Sequence, residues 1–150
     1  RVAKLNLYTK DSSPDLNGAH FLSIDVPSSG KARKATFTMG NSVLGRLADS
    51  KITKGDNVVY SLSLTSTGHF MIGGKRVYTI YLAGTKNPIG TMEFEILESG
   101  VKAKTFGRLK LNPNIAVDAQ DKALLTASLI AQMVITFKPD PSCNCFFDGD

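Results

Sequence analysis

The chain has 150 residues, of which 42% are hydrophobic and 21% are charged. This length and composition are typical of one folded domain, and they exclude a disordered, collagen-like or coiled-coil chain. The 18 Lys and Arg residues outnumber the 13 Asp and Glu residues, so a net charge of +5 permits, without requiring, attraction to phosphate-rich partners.

Apolar residues alternate with polar ones along most of the chain, which is the pattern of half-buried β-strands. The Gly73-Gly74 pair predicts a tight hairpin turn between two such segments, and Asn87-Pro88 predicts another turn. Residues 42–49 have helical spacing, but Gly45 and the shortness of the segment favour a single turn within a loop. The alternation occurs in residues 3–8, 20–26, 35–39, 58–64 and 92–96. The apolar faces of the predicted strands predict a buried core that contains Leu5, Leu22, Ile24, Phe37, Tyr60, Leu62, Ile80, Phe94, Ile96 and Met133.

Residues 118–137 support two predictions. Good helix formers follow Asp118 and Asp121, either of which could cap a helix. Apolar residues also alternate from Ala127 to Phe137, as they would in a strand. We favour a short helix near residues 121–132, followed by a last strand at 134–137. The alternative is one long final strand.

About eight strands with turn signals between them predict an all-β fold, an antiparallel β-sandwich or jelly-roll-like barrel. We expect one domain over residues 1–139, followed by an acidic tail over residues 140–150 that contains three Asp and no Lys or Arg. The longest nearly uncharged stretch, residues 123–137, is shorter than the roughly 20 residues of a membrane span, so no transmembrane segment is expected. No pattern assigns a cellular compartment.

Basic residues form two groups that could bind phosphate groups or nucleic acid. One precedes a predicted strand, and the other occupies even positions, where alternation can place its members on one face. A solvated basic surface explains the same residues without a partner. The candidate phosphate-binding residues are Lys31, Arg33, Lys34, Lys102, Lys104, Arg108 and Lys110.

The sequence predicts no catalytic residue, no cofactor and no assigned metal site. It contains no phosphate-binding glycine loop and no G-x-S-x-G motif, so we interpret the protein as not an enzyme. Asp11 and Asp15 in one loop, with Asp49 and Asp56 beside another, are weak candidates for calcium ligands. Ordinary turns use the same residue types.

Two resemblances bear on function. Residues 88–94, Pro-Ile-Gly-Thr-Met-Glu-Phe, resemble the turn and late strand of C2 domains, and that resemblance implies docking on an anionic surface. The size, strand number and basic character are similar to those of small jelly-roll virus coat proteins, which implies assembly into a virion.

These observations lead to three hypotheses. The first is a non-catalytic structural subunit of the coat or surface type, which assembles with copies of itself as a homo-oligomer or with another protein. The alternative is a C2-like binding module that docks on an anionic membrane or another phosphate-rich partner. The third is an enzyme whose catalytic residues are dispersed along the chain.

Overall fold

The computed structural model describes residues 2–9, 22–27, 33–67, 75–98, 104–137 and 144–147. These residues form strands and one helix, α1, which precedes the last strand. The elements are β1 (Val2–Thr9), β2 (Leu22–Pro27), β3 (Lys34–Met39), β4 (Ser42–Ala48), β5 (Lys51–Lys54), β6 (Asn57–Thr67), β7 (Lys75–Leu82), β8 (Pro88–Glu98), β9 (Lys104–Leu111), α1 (Ala119–Phe137) and β10 (Asn144–Phe147).

All of these strands belong to one sheet in the order β10-β1-β2-β3-β4-β5-β6-β7-β8-β9. From β1 to β9, each strand pairs antiparallel with the next strand in the chain. The strand β10, from the predicted acidic tail, pairs in parallel with β1. The all-β antiparallel prediction is confirmed in part: the described strands are mostly antiparallel, and one helix follows β9. A sandwich or jelly roll is not confirmed, because the described strands form a single sheet.

The sheet is curled around α1. The helix contacts β2, β3 and β4 near one end of the strand order and β8 and β9 at the other end. In a flat sheet, β2 and β9 would be roughly 34 Å apart, given about 4.8 Å between neighbouring strands, and one helix could not reach both. The face of the sheet that contacts α1 is called the inner face below, and the opposite face is the outer face.

The helix is enclosed on nearly all sides. Every residue from Asp121 to Thr136 is buried or half-buried. Enclosure suits a helix that is apolar around its circumference, unlike an ordinary surface helix with one polar face. It also explains why helical and strand periodicity both fitted this segment, because apolar residues occupy positions of either pattern.

Local hydrogen bonds explain how this segment forms a helix. The Asp118 carboxylate accepts a bond from the backbone N–H of Asp121 at 2.8 Å, so Asp118 is the N-cap. The Ser128 hydroxyl, which is fully buried, donates to the Leu124 carbonyl at 2.8 Å. A buried hydroxyl therefore keeps a partner within the helix itself.

Two predictions about secondary structure are wrong. The helix continues through residues 134–137, where we expected a strand, because packing and hydrogen bonding to the sheet extend into its last turns: Val134 is buried, and the Thr136 hydroxyl accepts a bond from Arg33. Residues 42–49 are not a loop turn, since Ser42–Ala48 form β4 between β3 and β5. The predicted hairpin turn at Gly73-Gly74 lies outside the described residues.

The buried core lies between the inner face and α1. Most of the residues predicted to be buried are buried, and Met133 is half-buried. The Leu5 and Ile96 side chains lie outside the described part of the structure. The confirmed core predictions are Leu22, Ile24, Phe37, Tyr60, Leu62, Ile80 and Phe94.

Two glycines of the sheet lie directly against side chains of α1. A Cβ atom on Gly45 of β4 would lie 2.6 Å from the Thr53 carbonyl oxygen and 2.8 Å from Cδ1 of Leu124. On Gly107 of β9, a Cβ atom would lie 2.7 Å from Sδ of Met133. At both positions, the absence of a side chain allows the helix to approach.

We expect Phe94→Ala to lower the free energy of unfolding by roughly 3 to 5 kcal/mol, as large-to-small changes in a core do. Phe94 is 1% exposed and stacks on Tyr78, with 6.1 Å between the ring centroids. Urea denaturation measures the loss. Phe106→Ala on the outer face is the matched control, since Phe106 is 41% exposed, and a larger loss there than at Phe94 would contradict the assigned faces.

The two glycines should respond differently to Ala. Gly45→Ala forces a methyl group against a backbone carbonyl that cannot move freely, so we expect a loss of about 1 to 3 kcal/mol. Gly107→Ala meets the flexible Met133 side chain, so its loss should be smaller. Thermal unfolding of both variants tests this order, and equal losses would show that α1 itself shifts.

Candidate functional site

The predicted phosphate-binding residues do not form one site in the described structure. Lys31 and Lys102 lie outside the described residues. Lys104 is the first residue of β9 and pairs in register with Glu98 of β8. The remaining four, Arg33, Lys34, Arg108 and Lys110, have three different environments.

Arg33 binds the helix. Its Nε and Nη2 atoms donate to Oε1 of Gln132 at 3.0 and 2.7 Å, and Nη2 also donates to the Thr136 hydroxyl at 2.5 Å. Gln132 is 1% exposed. These bonds satisfy a buried amide and tie the last turns of α1 to the start of β3, so the guanidinium group of Arg33 is already engaged within the fold.

Arg108 and Lys110 lie on the outer face of β9, beside an acidic strand. Arg108 lies 3.9 Å from the Glu93 carboxylate, which also binds Lys75 at 3.1 Å. The Arg108 guanidinium carbon lies 5.4 Å from the centroid of the Phe106 ring. Lys110 is exposed and pairs in register with Thr91 of β8. The positive charge of this basic group is therefore partly balanced by the Glu93 carboxylate of β8.

A second basic group is assembled by strand pairing. Lys34 of β3 and Lys51 of β5 are both register partners of Ala48 in β4, so their backbones are about 10 Å apart. Arg46 precedes Ala48 by two residues and shares its face, about 7 Å along the strand. All three basic residues are exposed. We call Lys34, Arg46 and Lys51 the outer basic patch.

The outer basic patch has polar and apolar neighbours. Among the described residues, none lies within 4 Å of its cationic groups as an ion-pair partner. Asp25 of β2 also lies on the outer face. In the row of residues that pair across β2, β3 and β4, Thr36 lies between Asp25 and Arg46. Val43 and Val58, which pair in register with outer-face threonines, are 48% and 41% exposed. The patch is thus positive, with exposed aliphatic side chains near it.

Sequence reasoning missed Arg46. Because residues 42–49 were interpreted as a turn, Arg46 had no strand face and no neighbour at Lys34 or Lys51. The signal that was available is alternation. Arg46 is next to Leu47, which is buried, and lies two residues before Ala48. Alternate residues of a strand share a face, so Arg46 faces outward together with Ala48.

The predicted calcium candidates do not converge where they are described. Asp49 lies in the turn before β5 and Asp56 in the turn after it, at opposite ends of that strand. Asp11 and Asp15 lie outside the described residues. No cluster of three metal-binding side chains is found in the part of the chain that the structure describes.

A different carboxylate, Asp121, connects α1 to the inner face. Its Oδ2 atom accepts a hydrogen bond of 2.5 Å from the Tyr60 hydroxyl, and its Oδ1 atom contacts the Lys54 ammonium group. Burial, together with the hydrogen bond and the negative charge of Asp121, raises the pKa of Tyr60 well above its usual value near 10. Two strands thereby hold the first turn of the helix.

Comparisons with family models, curated proteins and solved structures give no match to this chain. In the described residues, no helix combines the length and the apolar character that crossing a membrane requires.

Tyr60→Phe should lower the free energy of unfolding by roughly 1.5 to 3 kcal/mol near neutral pH, because it removes a hydrogen bond to a charged group. The difference from wild type should shrink above about pH 10. The pKa of Tyr60 is raised in the folded state, so the unfolded chain loses the phenolic proton first, and stability is lost as pH rises.

Urea denaturation at about pH 8 and about pH 11 measures this pH dependence. Tyr81→Phe is the matched control, since Tyr81 lies on the outer face of β7 and has no carboxylate partner among the described residues. If the difference in the free energy of unfolding between wild type and Tyr60→Phe is the same at both pH values, the raised pKa of Tyr60 is contradicted.

Proposed function

We propose that the protein is a non-catalytic module that docks on an anionic membrane surface through the outer basic patch. The observation that supports this function is the side-by-side position of Lys34, Arg46 and Lys51 on one exposed face, without ion-pair partners among the described residues. The resemblance of residues 88–94 to C2 domains implies the same kind of surface.

The chemistry of the patch suits a lipid headgroup layer. Lys and Arg near an anionic leaflet each contribute about 1 kcal/mol of attraction, so three residues supply about 3 kcal/mol. This amount gives weak, reversible binding that weakens as salt shortens the screening length. Val43 and Val58 would add burial of aliphatic groups in the interfacial region, which strengthens binding to lipid but not to a purely ionic partner.

Lipid fits this surface better than nucleic acid does. The outer face of β3, β4 and β5 carries Lys, Arg, Thr, Ala and Val but no aromatic ring among the described residues, and single strands are held largely by stacking on aromatic rings. Non-specific binding to duplex DNA commonly uses about 6 to 10 phosphate contacts, more than three cations supply. Binding to nucleic acid is therefore the alternative result that the experiment below can give.

Self-assembly as a coat or surface subunit is the second candidate. Exposed apolar side chains support it, since Leu64, Leu82 and Phe106 are 42%, 48% and 41% exposed. Side chains of this kind are commonly buried between subunits. The mass of the protein in solution distinguishes the two functions, because assembly requires a closed oligomer, whereas docking requires only a monomer.

The docking proposal is tested by co-sedimentation with phosphatidylserine-rich vesicles at low salt, with pure phosphatidylcholine vesicles as the neutral comparison. The double substitution Arg46→Gln and Lys51→Gln removes two charges from the patch. We expect the partition coefficient on anionic vesicles to fall by roughly 30-fold, from about 1 kcal/mol per charge.

The control removes the same charge elsewhere. Lys86 and Lys110 are exposed and lie outside the patch, so Lys86→Gln with Lys110→Gln should reduce binding by less than about threefold. Equal losses in the two double variants would mean that only net charge matters and would contradict a patch. Binding to duplex DNA without binding to either vesicle would overturn the membrane as the partner.

A further inference from the structure

The geometry points to a peptide-binding edge: β9 accepts an extended acidic segment of a partner protein as an additional antiparallel strand. In the described part of the chain, β9 is the last strand of the sheet and pairs with β8 alone. Its other edge presents backbone N–H and C=O groups that an added strand can bind. This proposal is independent of membrane docking.

The length of β9 suits strand addition. It spans Lys104–Leu111, which is 8 residues, and an added strand needs only about five or six residues to form a regular ladder. Edge strands of natural proteins are usually shortened, bulged or covered. Among the described residues, this edge is protected by its charge, and charge repels only strands of the same sign.

The pairing between β8 and β9 shows which charge the edge prefers. On the outer face, Glu93 is opposite Arg108 and Glu95 is opposite Phe106. Arg108 is 50% exposed at its side chain and shares Glu93 with Lys75, so its guanidinium group retains donors for a second carboxylate. Lys110, exposed at the end of the strand, has no carboxylate within 4 Å among the described residues.

The inner side offers a floor that is apolar at Met133 and Ile130 and carries one hydroxyl, at Thr126. Met133 of α1 lies against Gly107, and Ile130 and Thr126 occupy the same flank of the helix at spacings of three and four residues. All three are half-buried. An added strand would place alternate side chains over this flank, so its inward residues should be apolar while its outward residues are acidic.

These features exclude a second copy of β9 as the occupant. Two antiparallel copies would place Lys and Arg residues of one strand next to those of the other, and like charges opposite each other destabilise a pair. A segment in which acidic and apolar residues alternate places its carboxylates beside the basic residues of the outer face and its apolar side chains over the inner side. The chain already contains one example of such a sequence in β8.

The test uses a fluorescent synthetic peptide with the sequence of Thr91–Glu98, added to the whole protein and followed by anisotropy. A second peptide carries Lys in place of each Glu. We expect the acidic peptide to bind and the Lys peptide to bind at least fivefold more weakly, because opposite-charge cross-strand pairs are favourable. Amide hydrogen exchange should slow within β9 when the acidic peptide is bound.

Charge exchange in the protein completes the test. Lys110→Glu should weaken binding of the acidic peptide by roughly fivefold and strengthen binding of the Lys peptide. Lys34→Glu on β3 makes the same charge change away from the edge, so it should alter the affinity for either peptide by no more than about twofold. Circular dichroism checks that both variants fold. Absence of acidic-peptide binding, equal affinity for the two peptides, or protection outside β9 would overturn the proposal.

Discussion

Enclosure of α1 by the sheet is the constraint on which the rest of the structure depends. A curled antiparallel sheet leaves an apolar inner face, and one long helix fills it, so that Leu124 and Leu125 are fully buried. Polar groups brought inside with the helix each find a partner: Gln132 binds Arg33, and Asp121 binds Tyr60 and Lys54. These bonds fix the rotation of the helix as well as its position, because buried polar groups are costly when unpaired.

Much of the fold could be predicted from alternation, because a strand with one buried face repeats every two residues. Phe37, Ile80 and Phe94 were placed in the core for this reason and are buried there. What covers the buried face could not be predicted, since alternation reports only that one side is covered. A helix covers it here, rather than a second sheet. The same limit applied to residues 118–137, where an enclosed helix has no polar face to reveal its period.

The candidate docking surface was only partly accessible to sequence reasoning. Lys34 was singled out by its basic neighbours in the chain, but Arg33 next to it turns out to bind α1. Adjacent residues of a strand point to opposite faces, so a cluster in sequence is split by the fold. Conversely, Arg46 and Lys51 join Lys34 only through the register of β3, β4 and β5. Register depends on turns and bulges that a single sequence specifies weakly.

The position of α1 after β9 in the chain has a consequence for folding. The nine described strands that precede it are synthesised first, and among the described residues α1 is the element that covers their apolar inner face. Closure then requires contacts of long sequence separation, such as those of Gln132 with Arg33 and of Asp121 with Tyr60. Folds dominated by such contacts form slowly. The apolar inner face of the sheet is therefore exposed to aggregation until α1 has been synthesised and has packed against it.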